Sequence, residues 1–369
     1  MALLGAILFC AGEPINQPVW EDNMIPEFDP KKQSRRDFFQ LAAAGAGAAA
    51  MLGGMGISPA LAADMAAAAG RSDKPLKAAF SNAGLQATWC AQGKQAAEYF
   101  GKLFNVEVTW FDGELSAPKQ QKAIEDMASQ KWDFVAIQAF GIGTLTDSVN
   151  KMIKAGIPVM DMDTLIAPLD SIEVHSLLAP DNEFMGAAVT SALMDAIGGK
   201  GKVVMTQGAL GHTGAQGRAR GFKSVVKNYP NVEVVDEQPA DWDVTKVARI
   251  WETLLTKYPQ IDAAFFHNDD MALAAYNVMK QHNRTGIKIG GVDAMPPALD
   301  AVADGRMTAT VRNPSCRIHG YSVIAGVAAV VGGEKTGTGG IPKNIVTDGP
   351  VVTKANAAGM SWMESHFLI

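Results

Sequence analysis

Short runs of β-branched and other apolar residues recur along the chain from residue 77 onward, and between most of them lie segments with an amphipathic helical period. The runs predict strands at 77–81, 106–111, 134–138, 158–161, 174–178, 202–207, 232–236, 263–267, 288–292 and 308–312. Uninterrupted apolar stretches of about four to eight residues suit strands buried on both faces. The clearest helical pattern spans 244–258, where Val244, Val247, Ile250, Trp251, Leu254 and Leu255 fall on one face and Asp243 stands as an N-cap. This alternation predicts α/β architecture, with parallel sheets covered by helices on both sides. No tandem repeat accompanies it, and the Gly/Thr-rich stretch 332–340 reads as a surface loop.

The pattern differs before residue 63. Ser34-Arg35-Arg36-Asp37-Phe38-Phe39 precedes an uncharged Ala/Gly-rich run that ends at Ala60-Leu61-Ala62. An arginine pair, an apolar core and a small-residue cleavage site form an export signal of the twin-arginine kind, with cleavage expected after Ala62. A membrane anchor is disfavoured, because Gly45, Gly47, Gly53, Gly54 and Gly56 interrupt the run and Ser58-Pro59 breaks it. Met24 offers an alternative start, since 24–32 makes an ordinary polar lead-in to the arginine pair. Cys10 is a poor lipoprotein site: Phe9 stands where a small residue belongs, and no basic segment precedes it.

Beyond a linker at 63–75, about 300 residues remain, which suits two lobes of ordinary domain size. The 32 Lys and Arg against 38 Asp and Glu give a net charge of -6, with no basic surface for nucleic acid or anionic lipid. Only Cys90 and Cys316 survive processing; this is no disulfide scaffold, and whether the two pair stays open. No Cys/His cluster suggests a metal, and no cofactor is expected.

In open parallel sheets, ligands bind beyond the carboxyl ends of strands. Polar residues gather at those ends here: Ser81, Asp163, Gln207, Asn268 with Asp269, Asp293 and Asn313, with Trp242 in the loop Gln238-Pro239-Ala240-Asp241-Trp242-Asp243. Carboxylates, amides and a guanidinium satisfy vicinal hydroxyls in both directions, while an aromatic face covers C–H groups. These residue types fit a buried sugar or polyol. Asp161 and Asp163 lie two apart, so an extended chain would point both to one face. The histidines His175, His212, His267, His282, His319 and His366 are scattered singly, each read as exposed or internally satisfied.

Three stretches carry a resemblance: Gly217-Arg218-Ala219-Arg220-Gly221-Phe222, then 238–243, then His267-Asn268-Asp269-Asp270-Met271-Ala272-Leu273-Ala274. In that order the chain, from Lys77 to about Thr353, resembles the ribose-type periplasmic sugar-binding proteins. The resemblance implies two doubly wound lobes joined by a three-crossing hinge: one of 76–178 plus 314–342, the other of 179–313 plus 343–369. It places crossings near 178–180, 312–314 and 342–345. It implies Arg218 on ring and hydroxyl oxygens, Trp242 as a stacking aromatic, Asn268 and Asp293 as hydroxyl partners, Asn313 as a hinge-side amide, and Asp163 as the first lobe's carboxylate. Thr164 stands where those proteins have an arginine. The loop 81–90 offers Gln86, Thr88 and Trp89 in place of their tandem phenylalanines. These departures point away from ribose, toward another pentose, a hexose or an acyclic polyol. The implied role is a monomeric periplasmic protein that hands its ligand to the membrane subunits of an ABC transporter; a signalling-molecule binder of the same fold is the alternative.

Enzymes are disfavoured by the lack of a nucleophile elbow, a phosphate loop and a zinc-protease motif. The Gly-rich stretch 208–221 lacks the lysine-hydroxyl ending of a phosphate loop. Sugar-responsive repressors share the expected core but carry a DNA-reading helix-turn-helix where this chain has its export signal.

Overall fold

The computed structural model describes residues 75–332 and 341–366. The stretches read as an export signal and a linker, up to residue 74, and most of the Gly/Thr-rich stretch lie outside those residues. Within them the chain forms two sheets of six strands each.

The first lobe begins with β1 (Leu76–Asn82), α1 (Thr88–Leu103), β2 (Val106–Asp112) and α2 (Ala117–Ala128). It continues through β3 (Phe134–Ile137), α3 (Thr146–Lys154), β4 (Val159–Met162) and β5 (Ser176–Ala179). The chain then crosses to a second lobe built from α4 (Asn182–Ala196), β6 (Lys200–Gln207), α5 (Thr213–Val226), β7 (Asn231–Pro239) and α6 (Val244–Lys257). This lobe goes on through β8 (Ala263–Phe266), α7 (Asp269–Gln281), β9 (Lys288–Gly290), α8 (Pro296–Ala303) and β10 (Ala309–Val311). A return supplies α9 (Ser315–Gly332) and β11 (Asn344–Val346) to the first lobe, and β12 (Val351–Thr353) with α10 (Ala357–His366) to the second. Each predicted strand thus has its counterpart. The additions are β11 and β12, three residues each and too short to show a period.

Both sheets repeat one winding: β2-β1-β3-β4-β5-β11 and β7-β6-β8-β9-β10-β12. All pairings are parallel except β10 with β12. Parallel strands covered on both faces must be apolar throughout, as Phe134–Ile137 and Ala263–Phe266 are, with every residue buried. Helix α6 begins where its N-cap predicts, the Asp243 carboxylate accepting from the amides of Thr245 at 2.7 Å and Lys246 at 3.2 Å. Its buried stripe is Val247, Trp251, Leu254 and Leu255. Val244 departs from that stripe and stays exposed in the first turn.

The crossings lie side by side. The first follows Ala179, the second is 312–314, and the third is 347–350, later than the expected 342–345, because Asn344–Val346 runs in the first sheet beside β5. Hydrogen bonds tie them together: Thr347 N–H donates to Ala179, Asp181 N–H to the Asp348 carboxylate, and Arg312 N–H to Pro350. Among the described residues the thiols of Cys90 and Cys316 are free and buried, and burial pushes that of Cys316 up to about 12.

Candidate functional site

Each winding has its switch point where the first and third strands part, and there the carboxyl ends of β1 and β3 face those of β6 and β8. Between them lies a cavity whose open space, mouth and adjoining solvent included, is about 380 Å³. The first lobe contributes Ala83, Ala87, Trp89, Cys90, Leu115, Gln138 and Asp163 to its wall; the second contributes His212, Arg218, Trp242, Asn268 and Asp293. Asn313 comes from the second crossing. Strained backbone surrounds it. Asp163, Asp241, Trp242, Asp293 and Ala294 have φ of 60°, 55°, 65°, 116° and 52°, a region that costs a side-chain-bearing residue on the order of 1 to 3 kcal/mol. Such strain persists where neighbours enforce it, as Leu178 does by accepting from the Asp163 amide at 2.7 Å and Val311 from that of Asp293 at 2.8 Å.

The lobes meet directly around the cavity. Thr88 donates to Asp270 from its amide at 2.8 Å and its hydroxyl at 2.6 Å. The Ile142 amide donates to Gly211, and the Leu165 amide to the Thr213 hydroxyl at 3.0 Å. Met295, from the second lobe, packs into the first lobe's core, while Leu115 and Phe140 pack against the second. This is a closed arrangement.

Every charged group inside is held by others. Arg218 donates from Nε to Asn182 at 2.9 Å and from Nη1 to the His267 carbonyl, places Nη2 3.6 Å from the Asp293 carboxylate, and lies over Trp242 with Cζ 5.7 Å from the ring centre. Asp163 accepts from Gln138 Nε2 at 2.8 Å and Asn313 Nδ2 at 3.2 Å. The same Asn313 amide reaches Asp293 at 3.5 Å, so one side chain spans a carboxylate of each lobe. Burial pushes the Asp293 carboxyl well up, against the downward pull of Arg218. Burial likewise raises Asp269 to about 8; it accepts from Thr310 and from the Met295 amide, holding the strained loop that carries Asp293. Among the described residues, two buried polar atoms on the wall have no hydrogen-bond partner: the acceptor Asn313 Oδ1 and the donor Trp242 Nε1. One guanidinium against two carboxylates leaves no positive excess for an anionic ligand. Amides and indoles in an aromatic-lined space suit a neutral polyhydroxyl compound.

A family model described as the periplasmic binding protein domain matches residues 78–335. The chain belongs to that family. This binding protein is 27% identical over 271 residues to a xylitol-binding protein of Mycolicibacterium smegmatis, covering 73% of this chain and 75% of the relative. It is 29% identical over 218 residues to the ribose import binding protein of Bacillus subtilis, covering 59% of this chain and 70% of that one. Among solved structures, a galactofuranose binding protein superposes with TM-score 0.74 at 23% identity, covering 80% of this chain and 100% of that one. The periplasmic component of an arabinose ABC transporter from Shewanella gives 0.71 at 27%, covering 78% and 94%. These likenesses agree with the two-lobed, doubly wound fold.

In the binding protein, the candidates Trp89, Asp163, Arg218, Trp242, Asn268, Asp293 and Asn313 come together on the cavity wall. Two candidates do not. Ser81 is wholly buried behind the wall, its hydroxyl accepting from Gln120 Nε2 at 3.3 Å, because alternation along β1 turns it toward α2. Gln86 is exposed on the loop before α1. Of the acid pair, Asp163 reaches the cavity, whereas Asp161 stays in the strand, accepts from the Ile166 amide and is raised by burial. Asn268 is both wall and helix cap, its Oδ1 accepting from the Met271 amide at 3.0 Å. Sequence reasoning missed Gln138 and His212. Gln138 had a readable signal, being the polar residue that follows the apolar strand β3. Cys90 and Leu115 carried none.

Proposed function

We propose that this protein is the substrate-binding component of an ABC-type uptake system, capturing a neutral monosaccharide or polyol between its lobes without chemical change. The observation that carries this reading is the cavity between the closed lobes, with acceptors and donors from both. A ligand that satisfies Asp163 on one side and Arg218 with Asp293 on the other favours the closed form over the open one. The xylitol- and ribose-binding relatives support the ligand class. Ligand contacts are assigned to Trp89, Asp163, Arg218, Trp242, Asn268, Asp293 and Asn313. The partners are the membrane subunits of the transporter, which meet a monomer in its closed form. A fructose binding domain of a hybrid two-component system shares the fold and supports sensing as the second reading.

A thermal-shift screen against pentoses, hexoses, polyols, nucleosides and amino acids tests this. One sugar or polyol should raise the melting temperature by several degrees, since ligand bound only to the native state stabilises it by mass action. A response confined to nucleosides or amino acids, or none, would sink it. The proposal also places the protein in the periplasm, exported by the twin-arginine route. Replacing Arg35 and Arg36 by lysine should therefore leave the precursor uncleaved in the cytoplasm; normal periplasmic accumulation on fractionation would refute that route.

A further inference from the structure

His212 sits between two of the hydrogen bonds that join the lobes. The carbonyl of Gly211, just before it, accepts from the first-lobe Ile142 amide at 2.9 Å, and the hydroxyl of Thr213, just after it, accepts from the first-lobe Leu165 amide at 3.0 Å. Closure therefore clamps the backbone on either side of this residue. Its ring is only 4% exposed, lines the cavity and meets the Trp242 ring edge-on, with centroids 4.9 Å apart.

The ring's tautomer follows from its other duty. His212 is the N-cap of α5, and Nδ1 accepts from the Ala215 amide at 3.4 Å. A nitrogen that accepts carries no proton, so in the neutral ring the proton is on Nε2. Burial, assisted by the neighbouring Arg218 charge, pushes the ring down to about 3, and the neutral form holds through the physiological range. Among the described residues, Nε2 makes no hydrogen bond.

We propose that His212 is a specificity-determining residue whose Nε2–H donates to a ligand hydroxyl or ring oxygen when the lobes close. The inference rests on the sugar or polyol reading above. It adds to the second lobe a neutral donor whose position is set by first-lobe contacts. The residue thus reports closure to the ligand, and ligand to closure.

The test uses whichever compound of the sugar and polyol panel binds the unaltered protein. His212→Asn keeps a side-chain cap for α5, asparagine being a favoured N-cap, and removes the imidazole N–H. Its affinity should fall about tenfold, the loss of one hydrogen bond, with the ligand-free melting temperature unchanged. In the unaltered protein, nitrogen-15 spectra should show His212 protonated at Nε2 from pH 8 to 5, and saturation with ligand should shift that proton and slow its exchange. Native affinity in His212→Asn, a proton on Nδ1, or an Nε2–H signal indifferent to ligand would each overturn the assignment, the last two without any variant. If no panel compound binds the unaltered protein, the sugar reading itself falls and takes this inference with it. If one binds and His212→Asn matches it, the inference alone falls.

Discussion

Arg218→Met is expected to lower affinity for the protein's sugar or polyol by at least a hundredfold. Among the described residues the guanidinium is the one cation on the cavity wall, and it is held at three points, by Asn182, His267 and Asp293. Methionine keeps the apolar stem and removes every donor. Hydrogen bonds to charged groups contribute about 1.5 to 3 kcal/mol each, and every 1.4 kcal/mol is roughly tenfold, so two lost ligand contacts give about a hundredfold or more. Removing the cation also removes the downward pull on Asp293, whose carboxyl burial already raises. Protonation then relieves the unpaired buried charge, and the variant stays folded. Calorimetric titration alongside circular dichroism checks both halves; a folded variant with near-native affinity would take Arg218 out of the site.

Asn313→Leu should have a comparable effect by a different route. The Asn313 amide stands between Asp163 and Asp293, donating toward one carboxylate from each lobe. Leucine has similar volume and no donor, so closure would bury the Asp163 and Asp293 carboxyls without the amide that spans them. A buried acceptor stripped of its donor costs about 1 to 3 kcal/mol, a cost met only in the closed form, and the open form becomes favoured. Affinity should drop on the order of a hundredfold. Small-angle scattering with ligand should show a larger radius of gyration than the unaltered protein. A compact, tightly binding variant would mean that the amide does not mediate closure.

Most of the architecture was legible because parallel strands buried on both faces must be continuously apolar, and Phe134–Ile137 and Ala263–Phe266 announce themselves that way. The three-residue strands β11 and β12 carry no such pattern, which is why the third crossing is displaced from its expected place. The site was legible where a polar residue follows a strand, since the loop beyond a carboxyl end opens on the cleft; Asp163, Asn268 and Asp293 obey this. Ser81 fails because it lies within β1, where side chains alternate between faces, and not beyond its end. His212 was hidden by the sound default that a lone histidine is internally satisfied, and its Nδ1 is so satisfied. What made it a wall residue was the approach of the other lobe, a tertiary event with no local trace.

The side-by-side crossings also govern how the molecule can be made. The first lobe's sheet is closed off by β11, and one face of it is covered by α9, yet both follow the entire second lobe in the chain. A nascent chain halted after Ala179 would expose apolar surface that, among the described residues, 315–331 and 341–346 cover. The ribosome must therefore release nearly the whole polypeptide before either half is complete, and a truncation before Val346 should be cleared by proteases rather than accumulate as a stable half.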